Sequence, residues 1–192
     1  MDDVRAVPLG PHTWDEFVAL PADDRRELLD GELVETEMPN EAHEYIVAML
    51  CHLLVGWAKA HGGRAFASGY KVRIGDRRGV MPDVQLFRKD NPRRAENAVG
   101  VRTGRPDLVV EVLSPNRAKY DRVIKLAYYA AVGVPEYWIV DPDARTLERL
   151  CLSGARYAIA QSLAEDARFR PDSFEGLEIP LTDLWLPDEP PT

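Results

Sequence analysis

Two acidic residues occupy positions where an acid is costly. Glu111 lies inside Leu108-Val109-Val110-Glu111-Val112-Leu113, an apolar run that otherwise reads as a buried central strand. Ionised glutamate is seldom fully buried without a partner. Asp83 follows Met81-Pro82 and, at a two-residue period, shares a strand face with Met81, Gln85 and Phe87. A charge there is expensive unless it is paired or bound to metal. The bland alternatives are a solvent-facing turn cap for Asp83 and an edge strand for Glu111. The helix that follows Glu111 disfavours an edge. Two carboxylates on adjacent strands, facing the same way, suit a hard divalent cation. Mg²⁺ takes one or two protein carboxylates and keeps waters that substrate phosphates replace. Such a metal activates water and stabilises charge developing on phosphorus.

Lys125 is the candidate cation. It stands four residues after Asp121 on the helix that leaves the Glu111 strand. At helical steps both residues sit at the margin of the apolar stripe. For Asp121 alone, an ordinary surface ion pair is the simpler account. His43 is in phase with Ile46, Val47 and Leu50, where a histidine can be a core residue as well as a ligand. Glu32, after Gly31, fits a solvent-facing strand residue equally well.

Other engines are missing. The chain has no phosphate-binding glycine loop, no Gly-x-Ser-x-Gly elbow and no His-Glu-x-x-His pair. Cys51 and Cys151 show no metal spacing and form no disulfide framework. No apolar run approaches a membrane span. The N-terminal residues lack the features of a signal peptide, so a cytoplasmic location is expected.

The elements that must position these groups follow from periodicity. Residues 1–12 read as an extended lead-in, 13–185 as one domain, and 186–192 as a Pro-rich acidic tail. Thr13 and Glu16 form a capping-box pattern at the start of a short helix. Asp23 to Leu29 suggests a further helical turn ended by Gly31, and Glu32–Thr36 a strand. A long helix spans 41–61. Strands are expected at Phe66–Ile74, Val80–Phe87 and Asp107–Leu113, with Gly75–Gly79 as a hairpin turn. The basic stretch Arg88–Arg105 reads as an exposed loop. A second long helix begins after Ser114-Pro115-Asn116, with Tyr120, Val123, Ile124, Ala127, Tyr128 and Ala131 as its apolar stripe. Pro135–Val140 is a strand buried on both faces, and two later strands make a meander. The unit from Asp107 to Val140 is then a parallel crossover. The fold class is α/β: a central mixed sheet flanked by helices, with additional C-terminal antiparallel strands.

Taken alone, the formal net charge of -8 argues against a nucleic-acid partner. The average hides a patch. Residues 64–125 hold fifteen Lys or Arg against seven Asp or Glu, a surplus of eight positive charges. Arg73, Arg77, Arg78, Arg88, Lys89, Arg93 and Arg94 are the candidate phosphate contacts in that window.

These residues resemble a known pattern. A Pro-Asp on one strand, an embedded Glu on the next and a nearby basic residue are similar to the PD-(D/E)XK restriction-endonuclease-like superfamily. Pro106-Asp107-Leu108-Val109-Val110-Glu111-Val112-Leu113-Ser114-Pro115, then Asp121, Lys125 and Tyr129, then Gly133-Val134-Pro135-Glu136-Tyr137-Trp138-Ile139-Val140-Asp141-Pro142, resemble the Uma-two family. Gly31-Glu32-Leu33-Val34, His43 and Met81-Pro82-Asp83-Val84 fit more loosely.

The resemblance implies a restriction-endonuclease-like core. It implies Mg²⁺, with Mn²⁺ as a substitute, held by Asp83, Glu111 and the Val112 carbonyl. Lys125 would orient the attacking water or stabilise the transition state, with Glu32 and His43 as auxiliary groups. The superfamily's usual lysine slot, two residues after the glutamate, is Leu113 here. DNA is the implied substrate and a homodimer the implied assembly. Two other readings stay open: a non-catalytic nucleic-acid-binding or interaction module on the same fold, and a hydrolase of a smaller phosphate or sugar that uses Asp83 and Glu111 as an acid/base pair.

Overall fold

The computed structural model describes residues 10–21, 23–67, 70–91, 101–102 and 104–187. Most of the lead-in, most of the basic loop with Arg93 and Arg94, and residues 188–192 of the tail lie outside them. The elements run α1 (Trp14–Ala19), β1 (Arg26–Leu29), β2 (Glu32–Glu35), α2 (Glu41–Ala60), β3 (Arg64–Ala67), β4 (Lys71–Gly75), β5 (Arg78–Val80), β6 (Val84–Phe87), β7 (Val101–Arg102) and β8 (Leu108–Val112). A π-helical turn (Tyr120–Lys125) then leads into α3 (Leu126–Val132). β9 (Glu136–Asp141), β10 (Thr146–Ser153), β11 (Arg156–Ala164), β12 (Arg168–Phe169) and β13 (Ile179–Pro180) follow.

The central sheet has the strand order β11-β10-β9-β8-β6-β3 and is mixed. β8 and β9 are parallel, as a strand-helix-strand crossover requires, and their neighbours run antiparallel. Alternation along β8 splits the core. Leu108, Val110 and Val112 face α2 residues such as Leu50 and Leu54. Val109 and Leu113 face Tyr128, Tyr129 and Tyr137. Glu111 belongs by period to this second face.

A second sheet, β2-β1-β5-β4-β7, was not expected. The segment read as one strand from Phe66 to Ile74 is two, β3 in the central sheet and β4 in the second. The expected strand Val80–Phe87 is likewise cut at Met81–Asp83, so β5 and β6 also belong to different sheets. The hairpin turn at Gly75–Gly79 holds, joining β4 to β5.

The predicted helical turn before Gly31 is instead strand β1, paired with β2. Asp30 (φ 50°) and Gly31 (φ 84°) both have positive φ, the requirement of a tight two-residue hairpin. Gly31 has a second reason to be glycine: a Cβ there would meet the Gly10 carbonyl oxygen at 2.3 Å. The Thr13–Glu16 capping box forms as expected.

Candidate active site

Glu111 is 2% exposed, and its carboxylate is held from two sides. The Tyr129 hydroxyl donates to Oε1 at 2.6 Å. The Lys125 ammonium lies 3.3 Å from Oε2. Asp83 sits immediately before β6, where the Val84–Val110 register sets it opposite Glu111. Its Oδ2 accepts the Val112 backbone N–H at 2.8 Å and lies 3.4 Å from His43 Nε2. Of the expected site residues, Asp83, Glu111, His43, Lys125 and Val112 come together and Glu32 does not. All five line a cavity of about 400 Å³.

The helix that delivers Lys125 begins as a π turn, with the Leu126 N–H bonding back to the Asp121 carbonyl five residues earlier. The extra residue per turn shifts the phase of everything around it. Val123, placed by regular helical spacing in the apolar stripe, is 58% exposed, and Ala127 and Ala131 also face outward. Asp121 and Lys125 turn inward and are 5% and 7% exposed. Asp121 is therefore no surface ion-pair partner: its Oδ1 lies 3.2 Å from Lys125 Nζ inside the cavity.

Glu32 does not belong to the site. It is exposed on β2 and does not line the cavity. The acid from this hairpin is Glu27 on β1, 4% exposed. Glu27 Oε2 lies 3.2 Å from Lys125, and Oε1 accepts the Met81 N–H at 2.8 Å. One side chain thus ties the lysine to the segment that ends in Asp83. The Asp30-Gly31 turn signal would have identified β1 as a strand and its acid as inward-facing.

The proposed phosphate contacts among the described residues lie outside the cavity. Arg73 pairs with Asp76 at 2.7 Å, and Arg78 pairs with Asp30 and lies over the Tyr128 ring. Arg77 donates to the Gly10 carbonyl, and Arg88 to that of Ser173 while stacking on Phe174. Lys89 is exposed beside Gly62. None of these five lines the cavity, whose cations are Lys125, Arg25 and Arg117.

Four buried or half-buried carboxylates therefore surround one ammonium. Burial pushes Glu111 well above the usual carboxylate range, and Glu27 and Asp121 are raised for the same reason. Burial alone would discharge Lys125, but the carboxylates of Glu111, Glu27 and Asp121 outweigh it and raise its pKa well above normal. Its charged form is thereby favoured. Burial also works against a charged His43, and the Asp83 carboxylate overcomes it to raise that pKa.

Among the described residues no group of three His, Cys, Asp or Glu side chains is arranged to hold a metal alone. Mg²⁺ does not need three. Asp83 and Glu111 bring carboxylate oxygens to one cavity wall, beside Val112. The acids there outnumber the one lysine that faces them, so a divalent cation would relieve the surplus. The residues fit such an ion.

A family model described as "Putative restriction endonuclease", Uma2, matches residues 14–182. Among solved structures, "a putative nuclease belonging to DUF820 from Anabaena variabilis ATCC 29413" is 25% identical to this chain, with a TM-score of 0.75. The match covers 91% of this chain and 98% of that one. No curated protein matches. The family match starts at the first residue of α1 and spans every element that shapes the cavity, so this chain belongs to the Uma2 family.

Proposed function

We propose that this protein is a metal-dependent endonuclease that hydrolyses DNA phosphodiester bonds. The observation that carries the reading is the convergence on one cavity of Asp83, Glu111 and a lysine kept cationic by buried acids. Asp83 and Glu111, with the Val112 carbonyl, would hold Mg²⁺. When bound, the ion would supply a water of lowered pKa and charge stabilisation at phosphorus.

The chain's own groups do the rest. Lys125 does not act as a base, because its proton is held by three carboxylates. It offsets negative charge building on the phosphate, the kind of preorganised electrostatic contribution that dominates many active sites. Tyr129 fixes the Glu111 carboxylate, and the Val112 N–H fixes that of Asp83. Glu27 bridges Lys125 and the Met81 backbone, linking the lysine to the Asp83 segment. His43 bears on the same Asp83 oxygen that Val112 holds.

The test is incubation of purified protein with labelled DNA in Mg²⁺, Mn²⁺ or EDTA, alongside Asp83→Asn and Glu111→Gln. Cutting should require metal and both carboxylates. Cutting that survives both substitutions contradicts the assignment. DNA binding without cutting under any metal points to a non-catalytic module.

A further inference from the structure

Resting on the nuclease reading above, we infer that the DNA this site takes is a single unpaired strand, seated at the mouth on Arg117 and Tyr120. The first ground is depth. Glu111, Asp121 and Lys125 are 2%, 5% and 7% exposed, at the bottom of a cavity of about 400 Å³. A duplex is a stiff rod with its phosphates fixed to the outside. It cannot push one phosphate into a recess of this size without fraying. A single strand turns freely about its backbone and can.

The second ground is charge. The mouth carries Asp23, Asp24, Glu37 and Glu44 against Arg25 and Arg117, with Asp24 paired to Arg26, which leaves a small acidic excess. Duplex DNA brings about one phosphate charge per 1.7 Å of axis against such a rim, and a single strand about half that density. The rim therefore penalises the duplex more.

The third ground is a matched pair of side chains. The Arg117 guanidinium lies 4.5 Å from the centroid of the Tyr120 ring, and both residues are half-buried and line the cavity. Arg117 is held in place by donation to the Glu35 carbonyl. An arginine plane layered on an aromatic ring is a platform for an unstacked base, and it favours no sequence because every base has a π-face. A paired base is already stacked and has no face to offer. The π turn that holds Lys125 starts at Tyr120, three residues after Arg117, so the ring and the lysine share one element.

The test uses the full chain with Glu111→Gln, so that binding is read without cutting. Fluorescence anisotropy compares an end-labelled single strand, the same sequence as blunt duplex, and a forked duplex with unpaired arms. The single strand and fork should bind at least about tenfold tighter than the duplex. Tyr120→Leu and Arg117→Ala should each cost about tenfold in single-strand affinity, while Tyr120→Phe keeps it. Thermal unfolding of each variant separates lost contact from lost fold, and Arg117→Ala stands as the probe if Tyr120→Leu unfolds. Equal or tighter duplex binding, no DNA binding at all, or folded Tyr120→Leu and Arg117→Ala variants of undiminished affinity would overturn the inference. Wild-type protein with Mg²⁺ or Mn²⁺ should cut only the single strand and the unpaired arms. Failure to cut any of the three substrates would sink the nuclease reading instead, leaving the strand preference to be judged from anisotropy.

Discussion

Lys125 reaches Glu111 from a different element: its ammonium lies 3.3 Å from the carboxylate at the centre of β8. The position two residues after Glu111 on the same strand is Leu113, which is buried among Tyr128, Tyr129 and Val134. An ammonium there would enter an apolar core. The π turn supplies the lysine from the other side, over the same carboxylate.

That arrangement makes Lys125 structurally expensive to remove. Lys125→Met leaves Glu27, Glu111 and Asp121 buried with no cation among them. Breaking a buried pair by deleting one partner costs about 3–5 kcal/mol. Urea unfolding of the metal-free protein should show a loss of that order. Lys125→Met combined with Glu111→Gln should recover part of it, because one uncompensated charge goes with the lysine.

Tyr129→Phe deletes the hydroxyl that donates to Glu111 at 2.6 Å. A buried carboxylate oxygen then lacks a donor, at a cost of about 1–3 kcal/mol. Denaturant melts should register it. Cleavage should fall while binding of single-stranded DNA at the mouth is unchanged.

Glu27 and Glu32 flank one hairpin turn and should behave oppositely. Glu27→Gln keeps an acceptor for the Met81 N–H but removes a charge beside Lys125. Cleavage should drop by about 10–100-fold, on the scale of outer groups that orient metal ligands. Glu32→Gln, on an exposed residue, should leave cleavage within about twofold. Rate measurements at saturating DNA distinguish the two.

This contrast marks the limit of what the sequence disclosed. Asp83, Glu111 and His43 were legible because each is a polar residue set into an apolar period. The capping box at Thr13 and the crossover from β8 to β9 were legible from local pattern. The short Arg26–Leu29 segment is too brief for periodicity to separate helix from strand, and the hairpin is marked instead by the Asp30-Gly31 turn. Asp121 was misplaced because regular helical spacing does not hold through a π turn. Charge counts along a chain do not show that Arg73 and Arg78 pair with carboxylates and Arg77 with a carbonyl, outside the cavity.

Acid should disturb the cavity mouth late. Hydrogen bonds from Arg26 hold the Asp24 carboxyl down from its ordinary 3.8 to about 2. Its folded pKa lies below the unfolded value, so the pair's contribution is fully present above about pH 4 and is lost as pH falls through about 2. The pair is partly solvated, so the contribution is small. An NMR titration of the Asp24 carboxyl should give a midpoint near 2 in the wild type and a clear upward move in Arg26→Gln.

Lys125 and Glu111 are expected to act as one catalytic unit. Single-turnover cleavage of a labelled single strand in Mg²⁺ tests it, comparing wild type, Lys125→Met, Glu111→Gln and the double variant. Each single change should lower the rate by at least about a thousandfold, and the double should be no slower than the worse single, as groups acting together behave. A Lys125→Met enzyme within tenfold of wild type, or losses that multiply in the double variant, would contradict it.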